Sequence, residues 1–146
     1  MDNGSMKFTL GILLSSTLLL AQPGWHTVKD KTGACQVSVP PNWTILSNPG
    51  WVNSPEHMST TVLAGLRPYK PWSPETLKTL DVDKVFENSD KRSFYVTKAS
   101  KGTPAAVSYH VEAPGGAKAC VVQISATPSY SLEEIKAIAL SLSAAK

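Results

Sequence analysis

The side chains able to do chemistry in this sequence are few and widely spaced. Three histidines, His26, His57 and His110, share no short interval with one another or with a cysteine. A zinc site draws three or four such ligands, usually from short local spacings, so no metal is expected. Glu56-His57 and Asp81-x-Asp83 are the nearest acid or histidine pairings. On a strand, adjacent residues such as Glu56 and His57 point to opposite faces. The chain has no G-x-S-x-G elbow, no H-E-x-x-H and no glycine-rich loop to cradle a phosphate. A small exported hydrolase whose serine, histidine and acid meet only in space stays open as an alternative. No catalytic residue can be named for it, and no cofactor is expected. Asn42-Trp43-Thr44 has the form of a glycosylation acceptor, but Trp43 reads more simply as a core residue.

Two constellations say more. Cys35 and Cys120 are the chain's two cysteines. Cys35 alternates with Val37 and Val39, and Cys120 with Val122 and Ile124, so each belongs to the apolar face of a strand. In an oxidising compartment a Cys35–Cys120 disulfide is expected; the alternative is two buried free thiols on strands that are not neighbours. The second constellation lies between Asn48 and Ser73, where Trp51, Tyr69 and Trp72 stand among prolines. Pro68, Pro71 and Pro74 recur every third residue, the period of polyproline II. Large rigid rings on a stiff loop are a common contact surface. Trp51, Tyr69 and Trp72 are therefore the candidate ligand-binding residues. The plainer alternative is a crossover whose rings cover one end of a sheet.

These residues need elements to position them. Trp25–Asp30 and Ala34–Val39 read as two strands joined by Lys31-Thr32-Gly33. Pro40-Pro41-Asn42 stops the second, and a short extended piece follows at Trp43–Leu46. Ser47–Ser59, rich in Asn, Pro, Gly and Ser, reads as a loop carrying Trp51. Thr60–Leu66 is a long strand with Val62, Ala64 and Leu66 on one face. Ser73-Pro74-Glu75 opens a helix by the usual N-terminal signals. Leu77, Leu80, Val82, Val85 and Phe86 predict that it runs on, kinked near Asp81 or broken into two, to about Ser89. Ser93–Ala99, Ala105–Glu112 and Lys118–Thr127 are three further strands, the last two joined through Pro114-Gly115-Gly116. Ser131 and Glu134 form a capping box, and Leu132, Ile135, Ile138, Ala139 and Leu142 carry the last helix. Strands in runs with helices between them predict an α+β fold, an antiparallel sheet with helices packed on it.

Residues 1–21 differ in kind from the rest. Lys7 precedes an apolar run from Phe8 to Leu20, and Ala21 is a small residue at its end. That is the pattern of a secretory signal peptide. The expectation is a periplasmic or secreted protein with one domain over residues 22–146. The net charge of +3 is too small to imply a nucleic-acid partner and favours an anionic surface at most weakly. Lys91, Arg92, Lys98 and Lys101 gather around one strand. The simple reading is a solvated edge that discourages edge-to-edge pairing; an envelope-interaction surface is the alternative.

Val37-Ser38-Val39-Pro40-Pro41-Asn42-Trp43 resembles the early strand–Pro–small–Trp segment of PsbP-like domains and their DcrB-like bacterial relatives. The closing strand Val121–Ala126 and the helix ending Ile138-Ala139-Leu140-Ser141-Leu142-Ser143 resemble the end of the same domains. The resemblance implies a PsbP-like α/β/α sandwich. It also implies an exported accessory or binding role toward a protein or small ligand, rather than enzymatic turnover. A monomer is expected.

Overall fold

Alternation of apolar and polar residues sets the strands, and the glycines and prolines between them set the turns. The computed structural model describes residues 22–145; the expected signal peptide, residues 1–21, lies outside them. Three strands, β1 (His26–Lys29), β2 (Cys35–Val39) and β10 (Ser143–Ala144), form a small antiparallel sheet in the order β1-β2-β10. Seven more form a large one: β3 (Thr44–Ile45), β4 (Trp51–Asn53), β5 (Ser59–Ala64), β6 (Val82–Asn88), β7 (Ser93–Thr97), β8 (Val107–Ala113) and β9 (Cys120–Ala126). Their order is β3-β4-β5-β9-β8-β7-β6, and every pairing is antiparallel. Among the described residues, two helices, α1 (Pro74–Thr79) and α2 (Leu132–Ser141), complete an α+β fold, broadly a layered sandwich.

One face of the large sheet is the inner face of the molecule. Val62, Val111, Val122 and Ile124 are buried on it, together with Val37 and Val39 from β2 and Ile135, Ile138 and Ala139 from α2. The Cys35–Cys120 disulfide crosses this core and ties the small sheet to the large one, with Cα atoms 5.5 Å apart. The Pro114-Gly115-Gly116 turn packs tightly on it: a Cβ on Gly115 would stand 2.6 Å from Cys120 Sγ. Glu134, expected to close a capping box with Ser131, instead accepts hydrogen bonds from Tyr130 and from Trp43 Nε1 (3.3 Å). The Ser131 side chain still caps α2 by accepting from Glu134 N. Burial and the neighbouring Glu134 carboxylate push the Tyr130 hydroxyl well above its usual pKa.

Three expectations are corrected. The segment read as a loop around Trp51 contains β4. Its Asn, Pro, Gly and Ser residues make the turns on either side, and three residues are too few to show a period. The central helix does not reach Phe86. Asp81 adopts φ +53°, a left-handed conformation that ends the helix, and Val82–Asn88 pairs with β7 as an edge strand. Two register shifts in β6, between Val82 and Lys84 and between Val85 and Glu87, are bulges. They break the two-residue period and leave Val82, Val85 and Phe86 at a spacing that imitates a helix. Leu66 does not share a face with Val62 and Ala64, because β5 stops at Ala64 and Leu66 is 95% exposed.

Candidate functional site

The outer face of the large sheet is built by the same strands. Residues that pair across neighbouring strands project to the same side, so the register defines two transverse rows. One row runs Trp51, Thr61, Gln123, His110, Tyr95. The next runs Leu63, Val121, Glu112, Ser93, Asn88. Over one half of this face lies the crossover from β5 to β6. Its start extends the β5–β9 pairing: Gly65 N donates to Ala119 O (2.7 Å) and Ala119 N to Arg67 O (2.9 Å). A side chain at Gly65 would meet that partner strand, its Cβ 3.1 Å from Ala119 O.

The crossover is held at two further points. The Tyr69 hydroxyl donates to Ser89 O and lies 3.0 Å from Ser93 Oγ. The Asn88 side chain pairs with the backbone of Trp72, accepting from its N–H (3.0 Å) and donating to its carbonyl (2.9 Å). This fixes Trp72 above the sheet. The Arg67 guanidinium sits 4.4 Å from the Trp72 ring centroid, a cation–π contact, and its Nη2 is 3.0 Å from Glu112 Oε1. The hydrogen bonds of Arg67 go to Pro68 O and Lys70 O, while Glu112 Oε1 is buried and receives none. Charge alone, without a directed hydrogen bond, joins the pair.

Between crossover and sheet opens a cleft of about 300 Å³. Trp72 and Leu80, which bracket α1, form its roof, and Tyr95, His110, Glu112 and Gln123 its floor. The Tyr95 and His110 rings stack with centroids 4.9 Å apart and planes at 11°. Burial lowers the His110 pKa from its ordinary value, which keeps the imidazole neutral at pH 7. Burial raises the Glu112 pKa, and Arg67 offsets only part of that rise. Burial, and then the Glu112 charge, raise that of the Tyr95 hydroxyl.

Ser93 also lines the cleft and is paired: its Oγ donates to Asn88 Oδ1 (2.9 Å), and Asn88 grips Trp72. Five other lining side chains are not paired in this way. Trp72 Nε1, the Tyr95 hydroxyl, the His110 ring nitrogens, Glu112 Oε1 and the Gln123 amide make no hydrogen bond to another described residue. Together they can donate and accept toward a single guest.

The three rings singled out in the sequence fall in different places. Trp72 lines the cleft, and Tyr69 is half-buried as an anchor beneath the crossover. Trp51 lies 39% exposed at the far end of the Tyr95 row, four strand spacings away, roughly 19 Å. Sequence reasoning missed Tyr95, His110, Glu112 and Gln123 as a group. Alternation does put His110 on the face opposite Tyr109, but which strands lie beside β8 is not written in its period. The expected basic edge is also rearranged. β7 has neighbours on both sides, Arg92 pairs with Glu87 at 3.0 Å, and Lys98 lies 3.7 Å from Asp81 on the exposed rim. Among the described residues no histidine hydrogen-bonds a serine; His26 contacts Pro41 O. Nor do three metal-ligating side chains converge among them. A scan against models of protein families finds no match to the chain, and a search of curated proteins finds no similar sequence.

Proposed function

We propose that this chain is an exported, non-enzymatic binding domain that captures its ligand in the cleft between Trp72 and the Tyr95–His110–Glu112–Gln123 floor. One observation carries the reading: Trp72, Tyr95, His110, Glu112 and Gln123 line one cleft beside the paired Ser93, and Glu112 Oε1 is buried there with no hydrogen-bond partner among the described residues. A polar group that faces a concavity without a protein partner is met there by water or by a ligand. The disulfide is consistent with an oxidising compartment. The PsbP-like resemblance in Val37–Trp43 and in the last helix supports an accessory role.

The test is a two-dimensional NMR screen of the disulfide-bonded protein with millimolar fragments: neutral saccharides, heteroaromatics, amines and carboxylates. Binding at the cleft shifts the Trp72 indole N–H together with the amides of Tyr95, His110 and Gln123, and leaves the Trp43 indole in place. A screen in which no fragment moves the Trp72 indole, or in which all hits gather elsewhere, refutes the proposal.

A further inference from the structure

Resting on that reading, we infer that the site takes a single neutral amphiphile, with a hydroxyl-rich ring such as a saccharide in the cleft and an apolar tail along the groove beside it. The groove is a second concavity of about 370 Å³, walled by Leu63, Ala64 and Leu66. It shares Glu112 and Val121 with the cleft, so one molecule can lie in both. Leu63 and Leu66 are 45% and 95% exposed, apolar surface that a tail would remove from water.

The head group follows from charge and hydrogen-bonding type. Arg67 and Glu112 already neutralise each other at 3.0 Å. A charged ligand would meet attraction from one member of this pair and repulsion from the other, with no net charge to offset the cost of dehydrating it. The lining is mixed in type. The Trp72 indole can only donate, the Glu112 carboxylate can only accept, and Tyr95, His110 and Gln123 can do both. A hydroxyl both donates and accepts from one atom, so a ring carrying several meets this set without a fixed pattern. The Trp72 ring, immobilised by Arg67 on one side, offers an aromatic face whose negative quadrupole suits the C–H side of such a ring. The cleft volume lies at the lower end of the range for small-molecule sites, enough for one ring.

The experiment titrates the disulfide-bonded protein by NMR with n-octyl β-glucoside below its micelle concentration, methyl β-glucoside, sodium octanoate and octylammonium. Octyl glucoside is expected to shift the Trp72 indole and the Leu63 and Leu66 methyls together. It should bind about tenfold or more tighter than methyl glucoside, from burial of its tail. Leu66→Ser, at an exposed site, should bring octyl glucoside down toward methyl glucoside, and Gln123→Ala should weaken both glucosides while leaving octanoate unchanged. Octanoate or octylammonium binding the cleft as tightly as octyl glucoside overturns the ligand class but leaves the cleft as a binding site. Glucosides that shift only the Phe86–Leu140 groove on the inner side also overturn it. If no probe moves the Trp72 indole, both this inference and the binding reading fall.

Discussion

The two faces of the large sheet are made by the same strands and obey opposite rules. On the inner face Val62, Val122, Val111 and Phe94 form one row, buried under α2 and the small sheet and crossed by a disulfide. On the outer face the neighbouring row runs from Trp51 through Gln123 and His110 to Tyr95, half-covered by an irregular crossover. The inner face is largely apolar and buried, and Thr60 Oγ1 is buried on it without a hydrogen-bond partner among the described residues. The outer face gathers a carboxylate, an imidazole, a phenol, an amide and an indole without protein partners. The first face supplies the core and the second carries the cleft proposed for recognition, and the strand pleat keeps them on opposite sides of one backbone.

That division predicts how substitutions sort. The largest effect belongs to the disulfide. The replacement Cys35→Ala with Cys120→Ala reopens a loop of 85 residues and is expected to cost roughly 4–5 kcal/mol in the chain-entropy model. Urea unfolding of the double variant checks it; a midpoint equal to that of the parent would mean the two sheets hold together without the bridge. Next comes a matched pair on β9. Ile124→Ala on the inner face should cost about 2–5 kcal/mol, whereas Gln123→Ala, one residue earlier on the outer face, should stay within about 0.5 kcal/mol. Equal losses at the two positions would erase the distinction between faces.

A smaller effect tests a polar group buried on the inner face. Thr60 Oγ1 is buried without a hydrogen-bond partner, so Thr60→Val should raise stability by about 1 kcal/mol. Destabilisation by that substitution would show that the hydroxyl is satisfied. The smallest effect is pH dependence on the outer face. The folded protein holds the His110 pKa below its ordinary 6.5. As pH falls through that value the unfolded chain takes up a proton that the folded one does not, and stability declines. His110→Gln should flatten this decline in denaturant midpoints measured from pH 7 to pH 5. Glu112 works in the opposite sense. Its folded pKa lies above 4.5, so the folded state binds its proton first and gains stability as pH falls through that window. Glu112→Gln should therefore steepen the acid-side decline. A decline unchanged by either substitution would place the controlling groups elsewhere.

Much of the inner face could be read directly from residue order. Cys35-x-Val37-x-Val39, Tyr109-x-Val111 and Cys120-x-Val122-x-Ile124 alternate with a period that only a half-buried strand produces. Ser131 and the spacing of Ile135, Ile138 and Ala139 mark α2 equally well. The outer site was far less legible. Trp72 could be singled out as a large ring in a proline-rich crossover, but Trp51, singled out on the same grounds, stands at the other end of the sheet. Tyr95, His110, Glu112 and Gln123 lie on three strands and share no local motif. Bulges in β6 disguised a strand as helix, because each extra residue shifts the phase on which periodicity depends.

Local sequence, then, determined what depends on neighbours a few positions away: strand faces, helix caps, turn positions and the apolar side on which each cysteine lies. Tertiary structure alone decided what depends on strand order and register. It fixed the register of the β8–β9 hairpin, so that Gln123 stands beside His110, and set β5 on the other side of β9 with Cys120 bridged to β2. It also swung the crossover over one half of the sheet, bringing Arg67 and Trp72 onto Glu112. The reason is physical: alternation specifies which face a residue occupies, whereas the partner across the ladder is chosen by the summed packing and hydrogen bonding of the whole sheet.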